Sequence, residues 1–335
     1  MASFPRSTAW RRPAVIVLLV IAGLLPPLGI RADILNALII AFYYVILAAC
    51  WNVLAGYTGQ FSLAQQSFAA IGGYTTGLSI HYFGLPIWQG IVLAIVVSGT
   101  SGALLGALFL RLHAIYFAIA TWAFAGSVQI VLTAAYEVTR GQQGLSVPPL
   151  MHTLDPRSYY YVFFALMLTC LGAIAVVIRS RIGRFLLAIK GDELRAATLG
   201  VNTTMWKVFA FAFTSLLSGL AGAFYAHYIV VLSPSIADFT VIANIIVMVI
   251  VGGLATLEGP VVGGIVIGVM SVFLQQYGAL NNILFAAIVL IIMRTWRRGV
   301  VPLIMDESRR RLHSRRHPPS SQDRLISSTG DDGGG

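Results

Sequence analysis

Residues 34–75 read ILNALIIAFYYVILAACWNVLAGYTGQFSLAQQSFAAIGGYT. The first half, 34–55, is an apolar run of the length a bilayer-spanning helix needs, about 20 residues. Gly56, Gly59 and three glutamines (Gln60, Gln65, Gln66) then interrupt it before the apolar character returns. In lipid, an unpaired amide or a freed backbone group costs several kcal/mol. A stretch of this kind must be buried in protein or line a wet cavity. The pattern therefore predicts helix, break and helix inside a bundle.

Working outward, the whole chain has this character. Of 335 residues, 58% are hydrophobic and 10% charged, with a mean hydropathy of +0.83; a soluble domain carries nearer ~25% charged residues. We read an all-α, polytopic membrane protein with ten hydrophobic segments: 14–30, 34–55, 67–83, 87–110, 114–135, 159–178, 208–230, 239–257, 261–274 and 279–293. The segment after MASFPRSTAWRRP is long, contains Pro26-Pro27 and runs into further spans, which favours an uncleaved first span over a signal peptide. Cys50 and Cys170 lie inside apolar runs and read as small buried hydrophobes.

Charge sets the orientation. With the N-terminus (1–13) in the cytoplasm, 19 of the 22 Lys and Arg residues fall on the inner side, and only Arg31, Arg140 and Arg157 fall outside. The positive-inside rule accepts this arrangement and rejects its inverse. Both termini are then cytoplasmic, and 14–300 forms the membrane domain. The tail, 301–335, has the composition of disorder, and its arginines suit anionic lipid. The net charge of +10 is spread between spans in this way and does not point to nucleic acid.

Three segments look too short to span: 261–274, 279–293, and 67–80 if the helix breaks at Gly84-Leu85-Pro86. Fourteen helical residues cover only ~21 Å. Two of these pieces follow glycine-rich breaks, GYTGQFSLAQQ and VGGLATLEGP (251–260). Gly-interrupted segments paired across the two halves of a chain mark a transporter's solute path. Gly56, Gly59, Gln60, Ser62, Gln65, Gly252 and Gly253 are the candidate path residues. Gly73-x-x-x-Gly77, Gly102-x-x-x-Gly106 and Gly264-x-x-x-Gly268 read as ordinary close helix packing.

Catalytic and metal-binding signatures are missing. The sequence holds no H-E-x-x-H, no Cys/His cluster with metal spacing and no G-x-x-x-x-G-K-[ST]. His81, His113, His152 and His227 are isolated, and Glu258 is the one acidic residue near a span core. The interior is polar without charge, through Asn52, Gln60, Gln65, Gln66, Thr121, Gln129, Asn244, Gln275 and Gln276. Singly, each suits a helix–helix hydrogen bond; together they suit a neutral or zwitterionic solute better than a cation. An ion-coupled carrier, the competing class, would need an intramembrane carboxylate or a sodium site.

The one long inner loop, 179–207, reads as short helices. Ile182, Phe185, Leu186 and Ile189 share a helical face, Lys190-Gly191-Asp192 breaks it, and a second helix opens at Glu193 and closes at Gly200. The apolar face has no evident partner within the chain, so it reads as a docking element for another protein, with a helix lying on lipid as the alternative.

These residues carry a family likeness. IGRFLLAIKGDELRAATLGVNTTMWKVFAFAFTSLLSGLAGAFYA (182–226) resembles the coupling region of LivM-type permeases of branched-chain amino acid ABC importers. The G-x-x-G-Q-x-S-L at 56–63, the stretch 114–145 and VIVGGLATLEGPVVGG (249–264) resemble further motifs of that family. Gly183, Arg184, Ala188, Glu193, Ala197 and Gly200 match its coupling loop. Ala64, Gln66-Ser67, Lys190-Gly191-Asp192 and the ending IMRTWRRGV depart from it. The resemblance implies a multi-pass permease of the bacterial inner membrane that works with a second, LivH-type permease, two ATPase subunits and a periplasmic solute-binding protein. ATP and Mg²⁺ would sit on the ATPases, with no cofactor or metal on this chain. Gly183, Arg184, Glu193, Ala197 and Gly200 would couple hydrolysis to transport. Related permeases import urea or short amides, so the family leaves the solute open.

Overall fold

A computed structural model describes residues 31–109, 112, 114–151 and 155–274. The expected segments 14–30 and 279–293 and the tail lie outside these residues. The described residues are all-α apart from one short strand pair, with five helices long and apolar enough to cross a bilayer. Its helices are α1 (Ala32–Asn52), α2 (Gln65–Phe83), α3 (Ile87–Phe109), α4 (Ala114–Ala134), a one-turn α5 (Tyr136–Thr139), α6 (Pro156–Arg179), α7 (Arg181–Gly191), α8 (Glu193–Thr198), α9 (Thr203–Ile229), α10 (Phe239–Gly252) and α11 (Gly259–Leu274). Strands β1 (Leu145–Ser146) and β2 (Val231–Leu232) pair antiparallel.

Two expectations change. The piece at 67–80 is part of a 19-residue α2, which at 1.5 Å per residue reaches about 28 Å. Its glycines do not break it, because Gly72 and Gly73 lie against the backbone of α9. It ends instead at Gly84, whose φ of +62° stops the helix ahead of Pro86. The segment 239–257 is shorter than read. Its helix stops at Gly252, and Gly253 (φ +125°) opens a turn up to Gly259.

The core has two parts. α1 packs against α6, α10 and α11 through Phe42, Val45, Ile46, Tyr160, Phe163, Ile245 and Met248, all buried. Gly264 and Gly268 of α11 face Val45 and Ala41 of α1, the packing that the G-x-x-x-G spacing predicts. On the other side α9 lies between α2 and α3 along small residues. A side chain on Gly219 would meet Ser98, one on Gly222 would meet the carbonyl of Ala69, and one on Gly102 would meet Ser215. α4 is mostly uncovered, with Ile115, Tyr116, Ile119, Trp122, Ile130 and Val131 exposed.

The connections sort to two ends. At one, Tyr82 donates to the carbonyls of Glu137 and Val138, β1 pairs with β2, and His227 contacts the Pro148 carbonyl at 2.7 Å through Nδ1. At the other, Lys190 of 179–207 meets the break after α1, and Asn52 ties the end of α1 to the turn before α11. Among the described residues, Arg179, Arg181, Arg184, Lys190, Arg195 and Lys207 belong to the second end, while Arg31, Arg140 and Arg157 belong to the first. With cysteine introduced at Ser146 and at Thr198, both exposed, maleimide should label the first from outside the cell and the second only from the cytoplasm. Native background should be low, since Cys50 and Cys170 are buried. Reversed labelling would overturn the orientation.

Candidate functional site

The interruption after α1 begins as a π-helical turn, Val53–Thr58. Gly59 then adopts φ +75°, and residues 60–64 are not helical until α2 starts at Gln65. Such a break survives in a bundle only if its backbone finds partners. Here Gln60 N–H donates to the Leu54 carbonyl (3.0 Å) and Leu63 N–H to Thr121 Oγ1 (3.0 Å). Ala64 N–H donates to Ser62 Oγ (3.3 Å), and Trp51 Nε1 donates to the Ser62 carbonyl (2.8 Å). Of the three glutamines only Gln66 bonds to this break's backbone through its side chain, its Nε2 donating to the Leu63 carbonyl at 3.2 Å. Gln65 turns instead to α9, donating to the Thr214 carbonyl (3.1 Å) and to Ser218 Oγ (2.5 Å). Gln60 is nearly buried and its Oε1 accepts from Thr58 Oγ1 at 3.3 Å.

Three side-chain atoms in the first turn of α2 have no hydrogen-bond partner although buried: Gln65 Oε1, Gln66 Oε1 and Ser67 Oγ. Each such group costs about 1–3 kcal/mol. All three lie on consecutive residues at the end of the helix break.

The two glycine-rich breaks meet. Asn52, in the last turn of α1, accepts from Ala255 N–H through Oδ1 (2.9 Å) and donates from Nδ2 to the Thr256 carbonyl (2.7 Å). Ala255 is held in the left-handed region (φ +61°) at this contact. Gly56 makes room for it. A Cβ there would collide with Asn52 Oδ1 and lie 2.9 Å from Ala255 N. Gly252 packs directly on the Gly259 backbone, and the carbonyl of Gly253 accepts from Thr256 Oγ1 (2.8 Å). Beside this junction lies a cleft of about 280 Å³ lined by Tyr57, Ala175, Ile178, Arg179, Thr256, Leu257 and Glu258.

The inner loop is a chain of capped helices. Ser180 caps α7 by accepting from Ile182 N–H, Asp192 caps α8 by accepting from Arg195 N–H, and Asn202 caps α9 by accepting from Met205 N–H. Gly200 follows α8 at φ +85° with open space around it. One expectation fails: the apolar face of α7 is not bare. Leu186 is buried in a cluster with Leu54, Phe68 and Phe211, Ile182 packs against that cluster, and Phe185 stacks on Trp206 at 5.2 Å. Periodicity identified the buried face; the surface covering it is this chain's own π-helical turn, α2 and α9. Gly183 is likewise buried, tight against the backbone of Ile178, so it sets the turn from α6 into α7. Arg184, Ala197 and Gly200 are exposed, together with Leu187, Leu194, Leu199 and Met205. Glu193 forms an ion pair with Lys207 (2.5 Å), a lysine whose side chain is only 11% exposed.

The family model described as branched-chain amino acid transport system / permease component matches residues 33–293. The chain belongs to this family. This permease is 28% identical to the high-affinity branched-chain amino acid transport system permease protein LivM of Salmonella typhimurium and 26% identical to that of Escherichia coli. Either alignment covers 89% of this chain and 76% of the relative. It is also 26% identical to a probable LivH permease of Methanocaldococcus jannaschii, over 76% of this chain and 84% of that one. No solved structure matches it.

Several residues of the permease's junction escaped the sequence reading. Lys190 stood there as part of a helix break and as a departure from the family pattern, yet it lies inside α7 and its ammonium donates to the Gly56 carbonyl at 2.5 Å. Asn52 was one polar residue among nine, and its partner lies 204 positions away. Thr256 and Lys207 carried no signal at all.

Proposed function

We propose that this permease translocates branched-chain or other small neutral amino acids, received from a periplasmic binding protein, within an importer driven by two ATPase subunits and completed by a second, LivH-type permease. It is a transport subunit of the inner membrane and leaves hydrolysis, with ATP and Mg²⁺, to those partners. The observation that carries this reading is the convergence of three elements on one end of the bundle. The two glycine-rich breaks are tied through Asn52, and the capped inner loop rests against them through Lys190. Exposed Leu194, Leu199 and Met205, beside Arg184 and Arg195, give an ATPase an apolar surface with a basic rim to grip. The uncharged polar first turn of α2 supports a zwitterionic solute, which needs hydrogen bonds and no net counter-charge.

The test is uptake of labelled leucine by vesicles reconstituted with the second permease, the two ATPase subunits and the binding protein, with and without ATP. Uptake that persists without ATP, or that follows a sodium gradient, would overturn the reading. In the same assay Gln60→Leu should lower uptake about tenfold, the scale set by ~1.4 kcal/mol for one lost polar contact. ATPase subunits should still co-purify with it. Normal uptake would make Gln60 a packing amide.

A further inference from the structure

Lys190 lies between the loop that faces the ATPases and the break that faces the solute. It sits in the last turn of α7, and its ammonium donates to the Gly56 carbonyl. That carbonyl belongs to the end of a 27-residue helical run, Ala32–Thr58, where the final C=O groups have no following turn to accept from. A cation at a helix C-terminus also meets the negative end of the helix dipole. The contact extends beyond one hydrogen bond. A Cβ on Gly59 would lie 3.4 Å from Lys190 Cγ and 3.8 Å from its Cα, so the end of α7 rests on the residue that terminates the π-helical turn. Four residues earlier than Gly56 on the same helical end, Asn52 holds Ala255 and Thr256. One ammonium therefore touches the peptide around which both breaks are joined.

We propose that Lys190 is a positioning residue: through the Gly56 carbonyl it transmits the placement of α7 to the joined breaks at 56–59 and 253–256. Displacing α7 withdraws the donor from Gly56 and loosens the end of α1, and the Asn52 clamp carries that change to the turn before α11. The inference rests on the loop 179–207 being the ATPase-facing element. Its chemistry is specific: a donor of fixed charge is required at position 190, on a stem long enough to reach a backbone oxygen of the neighbouring helix.

Two variants separate the donor from the stem. Lys190→Met keeps length and apolar stem but cannot donate; Lys190→Arg can. In the reconstituted complex, Lys190→Met should retain the ATPase subunits while solute uptake per ATP hydrolysed falls about tenfold, within the usual range of coupling between sites. Lys190→Arg should recover most of that ratio. A second readout does not depend on transport. Amide hydrogen exchange of residues 57–62 should be faster in the Met variant than in the wild type and restored in Lys190→Arg. Unchanged coupling and unchanged exchange in Lys190→Met would overturn the proposal, as would equal loss in both variants. Loss of the ATPase subunits from Lys190→Met would make the residue a docking contact, also overturning it while leaving the loop's role intact. If variants of exposed Leu194 and Leu199 bind the ATPases normally, the loop assignment itself fails.

Discussion

Gly56→Val is expected to abolish uptake while leaving the permease in the membrane. The new Cβ would collide with Asn52 Oδ1 and lie 2.9 Å from the amide nitrogen of Ala255. Neither neighbour can yield cheaply, because one is held by hydrogen bonds to the other chain segment and the second is backbone. Relief comes only from separating the two breaks, which forfeits both Asn52 bonds, each worth about 1 kcal/mol net. Overpacking adds about 1–3 kcal/mol. A total of several kcal/mol lowers the joined population about a hundredfold or more, at tenfold per ~1.4 kcal/mol. Helices α1, α6, α10 and α11 keep their other contacts, so expression and insertion should stay near wild type. The measurement is leucine uptake beside detergent-extracted yield. Wild-type uptake by Gly56→Val would mean that the junction is not part of the transport cycle.

Glu193→Arg and Gly200→Val should cost the permease its ATPases. Glu193 pairs with Lys207, whose side chain is 11% exposed where α9 enters the bundle. Reversing the charge removes the counter-ion of a nearly buried ammonium and sets a guanidinium beside it, with water reaching only the half-exposed position 193. α8 must then swing away from α9. Gly200 sits at φ +85° immediately after α8, a region that costs an L-residue about 1–2 kcal/mol and a β-branched one more. Valine there re-aims the chain into Asn202, the cap of α9. Both changes lie outside the spanning helices, so yield should hold. Co-purification of the ATPase subunits should fall about tenfold in each, the effect of ~1.4 kcal/mol at an interface. Adding Lys207→Glu to Glu193→Arg should restore it by re-forming the pair. Full ATPase association in both single variants would reduce 179–207 to a surface loop.

Much of the fold was legible because each signal was local. Apolar runs bounded by charge gave the spans, whereas the caps Ser180, Asp192 and Asn202 emerge only from the structure. Gly200 was readable as a helix stop because φ > 0 is open to few other residues. The interruption at 59–64 was readable from glycines and amides set in an apolar context. What could not be read were partners. Periodicity places Leu186 and Ile189 on a buried face of α7 without saying that the π-helical turn, α2 and α9 supply the cover. Gln65 was expected in the path, and its amide nitrogen is spent on Thr214 and Ser218. Asn52 and Thr256 gain their meaning only from a contact across 204 residues. Lys190 looked like a deviation because a pattern of residue types says nothing about the carbonyl that an ammonium reaches.

The seam of small residues along α9 has a mechanical consequence. Gly72 abuts the Gly219 backbone, Gly222 abuts Ala69, and Gly219 and Gly102 abut Ser98 and Ser215. With backbone seated on backbone there are no flexible side chains to absorb sliding, and a slip of one residue along the seam would drive a Cβ into a carbonyl. Helices α2, α3 and α9 therefore travel as one rigid slab. The slab joins α1 through residues 60–64, the stretch without helical hydrogen bonds that starts after a glycine at φ +75°. The glycine-and-glutamine interruption is thus the covalent link between two groups of helices that also share a core, through Ala69, Leu217 and Ala221 packed with α1.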